Sequence, residues 1–133
     1  MKPNNNKSPS IKILLVDDEE EVRSSLSTLL SKKGYAVDAR DNAPEAVEAL
    51  LNSSYDVLLT DLSMPEMNGI ELLKQAGKIA PSMIKILMTG YGDVATHLEA
   101  TKAGATGYLI KPISFSKIEA AIGRHNIKKN SQK

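Results

Sequence analysis

Apolar runs of strand length alternate with stretches of helical period along most of the chain. Residues 11–16 (IKILLV) are the first such run, closed by Asp17 and Asp18. Val22, Leu26, Leu29 and Leu30 then recur at helical spacing within residues 19–33. Glutamates crowd the first turn of that stretch and Lys32-Lys33 the last, the ends that suit the helix dipole, with Gly34 at the stop position. Residues 35–40 alternate apolar and polar after their first pair, as a half-exposed strand does. Asn42, Pro44 and Glu45 predict a cap, a first-turn proline and a capping-box acid for a helix with Ala43, Ala46, Val47 and Leu50 on its apolar stripe. Residues 56–60 (DVLLT) predict a third strand, followed by Asp61. A turn-rich SMPEMNG leads into a helix carrying Ile70, Leu73 and Ala76. Residues 84–88 predict a fourth strand, 93–103 a helix of weak amphipathicity, and 106–110 a fifth strand ended by Lys111-Pro112. Residues 114–127 predict a last helix with Phe115, Ile118, Ala121 and Ile122 inward.

Strict βα alternation with short connections forces parallel strands joined by right-handed crossovers. The expected fold class is therefore α/β, a doubly wound (βα)5 sheet with helices on both faces. Strands one, three and four read as near-continuous apolar runs, which suits burial on both faces. Strands two and five hold more polar and small residues and are expected at the edges. The chain of 133 residues is too short for a (β/α)8 barrel. Residues 11–127 are expected to form one domain. Residues 1–10, polar with two prolines, predict a disordered tail, and residues 128–133 a basic one.

Composition removes several chemistries. There is no cysteine, so a disulfide framework, a thiolate zinc site and a cysteine nucleophile are excluded. The two histidines, His97 and His125, are far apart in sequence and are expected to be ordinary surface residues. No apolar run approaches a membrane span, and the first ten residues lack the apolar core of a secretory signal, so a cytoplasmic location is expected. The net charge of +1 hides a split: residues 11–123 carry eleven bases against all sixteen acids. A nucleic-acid binder would present a basic face, so no nucleic-acid partner is expected for this chain.

Ligands of open α/β sheets bind outside the carboxyl ends of the strands. Those ends carry Asp17 and Asp18 after strand one, Asp61 after strand three, Thr89 after strand four and Lys111 after strand five. Three carboxylates brought together repel unless a cation sits among them. Oxygen ligands without His or Cys favour Mg²⁺ or a similar divalent ion. One lysine and one hydroxyl remain to bind the oxygens of an anion. Singly, each of these residues has an ordinary explanation as a helix cap, turn residue or surface charge. Their convergence on the edge that the topology selects is what points to a site.

The motifs LLVDDEEEVR, DVLLTDLSMPEMNGIELL, ILMTGYGD and KAGATGYLIKP, in this order and each at a strand end, resemble response-regulator receiver domains of bacterial two-component signalling. The resemblance covers nearly the whole chain and implies the CheY-like strand order 2-1-3-4-5. It implies that Asp61 is the phosphoacceptor and that Asp17, Asp18, Asp61 and the backbone carbonyl of Ser63 hold Mg²⁺ (or Mn²⁺). Lys111 would pair with Asp61 and later with the phosphoryl oxygens, and Thr89 would bond one of those oxygens. Tyr108 would be the ring that changes rotamer with Thr89, and Lys111-Pro112 would be a cis peptide. The implied partners are a histidine kinase or histidine phosphotransfer protein, and a downstream protein or second copy meeting the face of helix four, strand five and helix five. One departure is Ile113, where the family usually has Phe; Phe115 stands two residues on, which bears on the packing of the last helix.

The resemblance implies a signalling module and not a turnover enzyme, although one that assists its own phosphorylation and dephosphorylation. The rival is a Mg²⁺-dependent phosphohydrolase working through an aspartyl phosphate. Against it, Ser63 stands where a second Asp would serve as acid/base, and there is no cap insertion to enclose a small substrate. The wording of TGYGDVAT and KAGATGYLIKP is similar to receivers that precede ATPase-type transcription activators. A receiver cut from a larger regulator is therefore the other alternative.

Overall fold

In a computed structural model, residues 10–90 and 92–123 are described. Residues 1–9 of the expected N-terminal tail, the whole expected C-terminal tail, His125 and the last turn expected of helix five lie outside the described residues. Five strands alternate with five helices: β1 (Lys12–Val16), α1 (Glu20–Lys32), β2 (Ala36–Arg40), α2 (Ala43–Asn52), β3 (Val57–Asp61), α3 (Gly69–Ile79), β4 (Ile84–Thr89), α4 (Val94–Lys102), β5 (Gly107–Ile110) and α5 (Phe115–Gly123). The sheet is parallel throughout with order β2-β1-β3-β4-β5, as the alternation and the resemblance required. None of the described helices is long and apolar enough to cross a membrane.

Two cores flank the sheet, as strand periodicity demands. One holds Leu14, Val16, Leu58 and Leu87 against α2, α3 and Ala100 of α4. The other holds Ile13, Leu15, Leu59, Ile86 and Met88 against Leu26 and Leu30 of α1 and Ile118, Ala121 and Ile122 of α5. β3 and β4 are buried along their whole length, whereas β2 is only half-buried, the difference between centre and edge. Ile113 and Phe115 both pack against the second core, so the absence of the usual Phe leaves α5 seated. Phe115 also meets the Tyr35 ring at 6.2 Å and the Lys33 ammonium at 5.0 Å.

Local chemistry sets the helix ends close to their expected places. Gly34 takes φ 98°, the left-handed conformation that ends α1. Asn42 accepts from the Glu45 N–H to start α2. Asn68 and Glu71 form a complete capping box at the start of α3, one that the turn-rich loop had hidden. The Asp93 carboxylate accepts from the Thr96 N–H at the start of α4.

Candidate functional site

The residues singled out at the strand ends converge on one edge of the sheet. Asp17 follows β1 directly, and its N–H donates to Arg40 O at 3.2 Å. Asp61 is the last residue of β3 and Thr89 the last of β4. The Lys111 N–H donates to Thr89 O at 2.7 Å, tying the end of β5 to the end of β4. Lys111-Pro112 is cis, as the resemblance implied. Asp17, Asp61 and Thr89 are three of the five buried polar residues in the described chain. Buried carboxylates persist where they are paired and hydrogen-bonded.

Lys111 provides the pairing. Its Nζ lies 2.9 Å from Asp61 Oδ1 and 3.2 Å from Asp17 Oδ2, with exposed Glu19 at 3.8 Å. The second Asp17 oxygen accepts from the Glu19 N–H at 2.9 Å. Both oxygens of Asp17 are thus engaged, whereas Asp18 is exposed beside them. One carboxylate oxygen from each of Asp17, Asp18 and Asp61 lies within 4.8 Å of the others. That spacing and the all-oxygen donor set fit a hard divalent cation. Asp18 and exposed Ser63 line an open depression of about 810 Å³, together with Asn68, Glu71, Thr96 and Glu99.

Electrostatics follow from burial. Burial pushes the Asp61 carboxyl above its ordinary value, the Lys111 hydrogen bond pulls it back in part, and the charges of Asp17 and Asp18 raise it further. Burial works against the Lys111 ammonium, but hydrogen bonding and attraction from Asp61 and Asp17 outweigh it, and the lysine is raised overall. A carboxylate held beside a fixed ammonium and further acids is suited to nucleophilic attack on a phosphoryl group once cationic charge is available.

Three contributors were invisible in the sequence. Gly69 opens α3 against the Asp61 backbone: a Cβ there would lie 2.3 Å from Asp61 O and 3.0 Å from Leu62 Cα. Arg23 Nη1 donates to Asp17 O at 2.9 Å, bracing the loop after β1. His97 is exposed, as expected, but it is not idle: its ring stacks on Tyr108 with centroids 4.4 Å apart. Neither glycine-in-loop composition nor helical spacing signals such contacts. Tyr108 itself is half-buried on β5, opposite Leu87 of β4.

Comparison with known proteins agrees with this architecture. Residues 13–123 match the family model of the response regulator receiver domain. The transcriptional regulatory protein FixJ of Rhizobium meliloti is 41% identical over 110 residues, 83% of this chain and 54% of that protein. The chemotaxis protein CheY of Thermotoga maritima is 36% identical over 114 residues, 85% of this chain and 95% of that protein. A response regulator from Burkholderia pseudomallei, crystallised with a phosphorylated aspartic acid, calcium ion and citrate, superposes with a TM-score of 0.81 at 30% identity. It covers 85% of this chain and 66% of that one. The chain spans between 24% and 54% of the length of several curated transcriptional regulators that it matches. With the fold, the strand-end acids and the family model in agreement over residues 13–123, this chain belongs to the receiver domains of two-component response regulators.

Proposed function

We propose that this receiver accepts a phosphoryl group on Asp61 from a histidine kinase or histidine phosphotransfer protein. One observation carries the proposal: a buried carboxylate at a strand end, 2.9 Å from a lysine ammonium, with two further carboxylates within 4.8 Å. An Asp61 oxygen forms the new bond to phosphorus as the phosphorus–nitrogen bond of a phosphohistidine breaks, and that bonding pair returns to the imidazole nitrogen. Lys111 keeps Asp61 anionic before transfer and pairs with phosphoryl oxygens afterwards. Thr89, buried at the neighbouring strand end, donates its hydroxyl to one of them. An apolar depression of about 560 Å³, lined by Val22, Leu26, Pro112 and Ile113, adjoins Lys111 and gives the donor a surface. The cytoplasm is the proposed location.

Asp18, Asp17, an Asp61 oxygen and the Ser63 carbonyl would hold Mg²⁺ or Mn²⁺. When bound, the ion supplies positive charge that offsets the phosphoryl oxygens. The phosphorylated aspartic acid and calcium ion in the Burkholderia protein support the same pairing of acceptor and cation here. Exposed Asp18 is the direct ligand, and Asp17, engaged by Lys111 and the Glu19 N–H, acts directly or through water. Asp18→Ala is therefore expected to lose the Mg²⁺-dependent rise in Tm while leaving the metal-free protein as stable as before or slightly more so. Asp17→Ala is expected to cost the metal-free protein about 1–3 kcal/mol, because the part-buried Glu19 N–H loses its acceptor and Lys111 keeps only Asp61 of its two buried carboxylate partners. Thermal melts with and without Mg²⁺ check both; undiminished Mg²⁺ stabilisation in Asp18→Ala would contradict the ligand assignment.

Phosphorylation is proposed to turn Tyr108 toward Thr89 and remodel the face of α4, β5 and α5, which meets a downstream protein or a second copy. Val94, Leu98 and Ile110 support that choice: they are three of the four large apolar side chains exposed in the described chain, at 73%, 58% and 37%. The hydrolase reading predicts a different outcome with a small phosphodonor. With acetyl phosphate and Mg²⁺, the chain is expected to take up about one phosphate per molecule and lose it slowly. Rapid multiple turnover would favour the hydrolase.

A further inference from the structure

α4 is lightly held to the sheet. Ala100 is its one buried residue, while Val94, Leu98 and Glu99 face solvent. Its aromatic contact to the sheet is the His97 imidazole lying parallel to the Tyr108 ring, with centroids 4.4 Å apart and an interplanar angle of 0°. The helix turn that presents His97 is formed on both sides: its N–H donates to Asp93 O at 3.2 Å, and its carbonyl accepts from Thr101 Oγ1 at 3.0 Å. Tyr108 packs on its inner side against the core that contains Ala100 and Ala103. The phenol ring is therefore clasped between the core and a histidine from the helix proposed to move.

We propose that His97 is a positioning residue, a latch that holds Tyr108 against α4 in the unphosphorylated protein and so sets how readily phosphorylation shifts the output face. The proposal rests on the reading of Asp61 as acceptor and Tyr108 as the responding ring. A turn of Tyr108 toward Thr89 takes its ring off the imidazole. The stack is then present in one state and absent in the other, so its whole free energy biases the equilibrium. An aromatic pair of this kind changes a population by about two- to tenfold. Breaking it also releases the turn of α4 that lacks a buried side chain, which couples the ring to the helix.

The test uses the full chain with Mg²⁺ and beryllofluoride, a mimic of the phosphoryl group on Asp61, and ring NMR signals of Tyr108. If the switched conformer is the minor one in the free protein, removing the latch raises its fraction and tightens apparent binding in proportion. His97→Ala is expected to bind beryllofluoride about two- to tenfold more tightly than wild type, with the free-state Tyr108 signal displaced toward its liganded position. His97→Phe keeps a flat ring at that place and is expected to restore wild-type behaviour in both measurements, which a merely structural role would not do. The exposed position of His97 leaves the fold intact, which a thermal melt verifies. Wild-type affinity and an unmoved free-state signal in His97→Ala would overturn the latch, and so would a His97→Phe protein that behaves like the alanine variant. A wild-type chain that binds no beryllofluoride would overturn the acceptor reading and the latch with it. A wild-type chain that binds it with Tyr108 unmoved would overturn the latch alone.

Discussion

Asp61→Asn is expected to give a folded protein that takes up no stable phosphate. The amide keeps the shape of the carboxylate but lacks the anionic oxygen that attacks phosphorus, so the loss is complete and not partial. The fold gains from the change. Burial raises the Asp61 carboxyl above its ordinary value of 3.8, so the native state binds its proton more readily than the unfolded chain does. Wherever the native state holds the extra proton, stability falls as pH rises, and above the raised value the ionised group is a standing cost. The asparagine removes that cost, and Lys111 still has Asp17 at 3.2 Å. Without metal, Asp61→Asn is expected to be more stable than wild type at neutral pH. Its advantage should shrink as pH falls through the raised value and disappear below the ordinary one. Urea unfolding across acidic to neutral pH measures the difference; an advantage that persisted unchanged into acid would show that it does not come from ionisation.

Among the glycines, Gly69 is expected to be the one most damaged by an added methyl group (Gly69→Ala). Its Cβ would fall 2.3 Å from Asp61 O, 2.8 Å from Leu87 Cδ1 and 3.0 Å from Leu62 Cα. Two of those atoms are backbone, so a rotamer change cannot relieve the contact. The Gly69 N–H donates to Leu62 O at 2.8 Å, and Leu62 N–H donates to Met88 O at 3.0 Å, so the displacement passes to the strand end that carries Asp61. Overpacking of this kind costs about 1–3 kcal/mol or more. Phosphate uptake should slow as well, because the acceptor moves relative to Lys111. Gly77→Ala, in the same helix with nothing within 4 Å of the new methyl, is expected to gain about 0.5–1 kcal/mol instead. Chemical denaturation of the two variants side by side separates the close approach at Gly69 from any general effect on α3.

The strand order and the convergence of Asp17, Asp18, Asp61, Thr89 and Lys111 were legible because period and punctuation agree along the chain. Strands one, three and four are apolar runs ended by a polar residue, strand five is ended by Lys111, and the topology rule names the edge where those ends meet. Boundaries slipped by a residue or so: Asp61 is the last residue of β3, and Ile11 lies just before β1. Lys85 shows how a charge hides in an apolar run. It is 4% exposed in β4, and its ammonium reaches past the sheet edge to Met83 O at 2.8 Å and Pro81 O at 3.4 Å. Burial lowers its pKa, but the stem packs as a hydrocarbon and the head is bonded. The capping box of Asn68 and Glu71 was written in the sequence but lay inside a loop dense with turn residues. The resemblance implied the pair of Lys111 with Asp61, but the second contact of Lys111 with Asp17 and the stack of His97 on Tyr108 were not legible. Both join residues distant in sequence or on different elements, and only their relative placement makes the contact.

The central claim is that Asp61 is the nucleophile. An acyl phosphate is reduced by borohydride, which converts a phosphorylated aspartate to homoserine and leaves a free carboxylate untouched. The wild-type chain would be treated with acetyl phosphate and Mg²⁺, reduced, digested and mapped by mass spectrometry. The expected result is homoserine at position 61 alone, with Asp17, Asp18 and Asp56 unchanged. Homoserine at another aspartate with position 61 intact would contradict the claim, and so would full phosphate incorporation with no reducible aspartate.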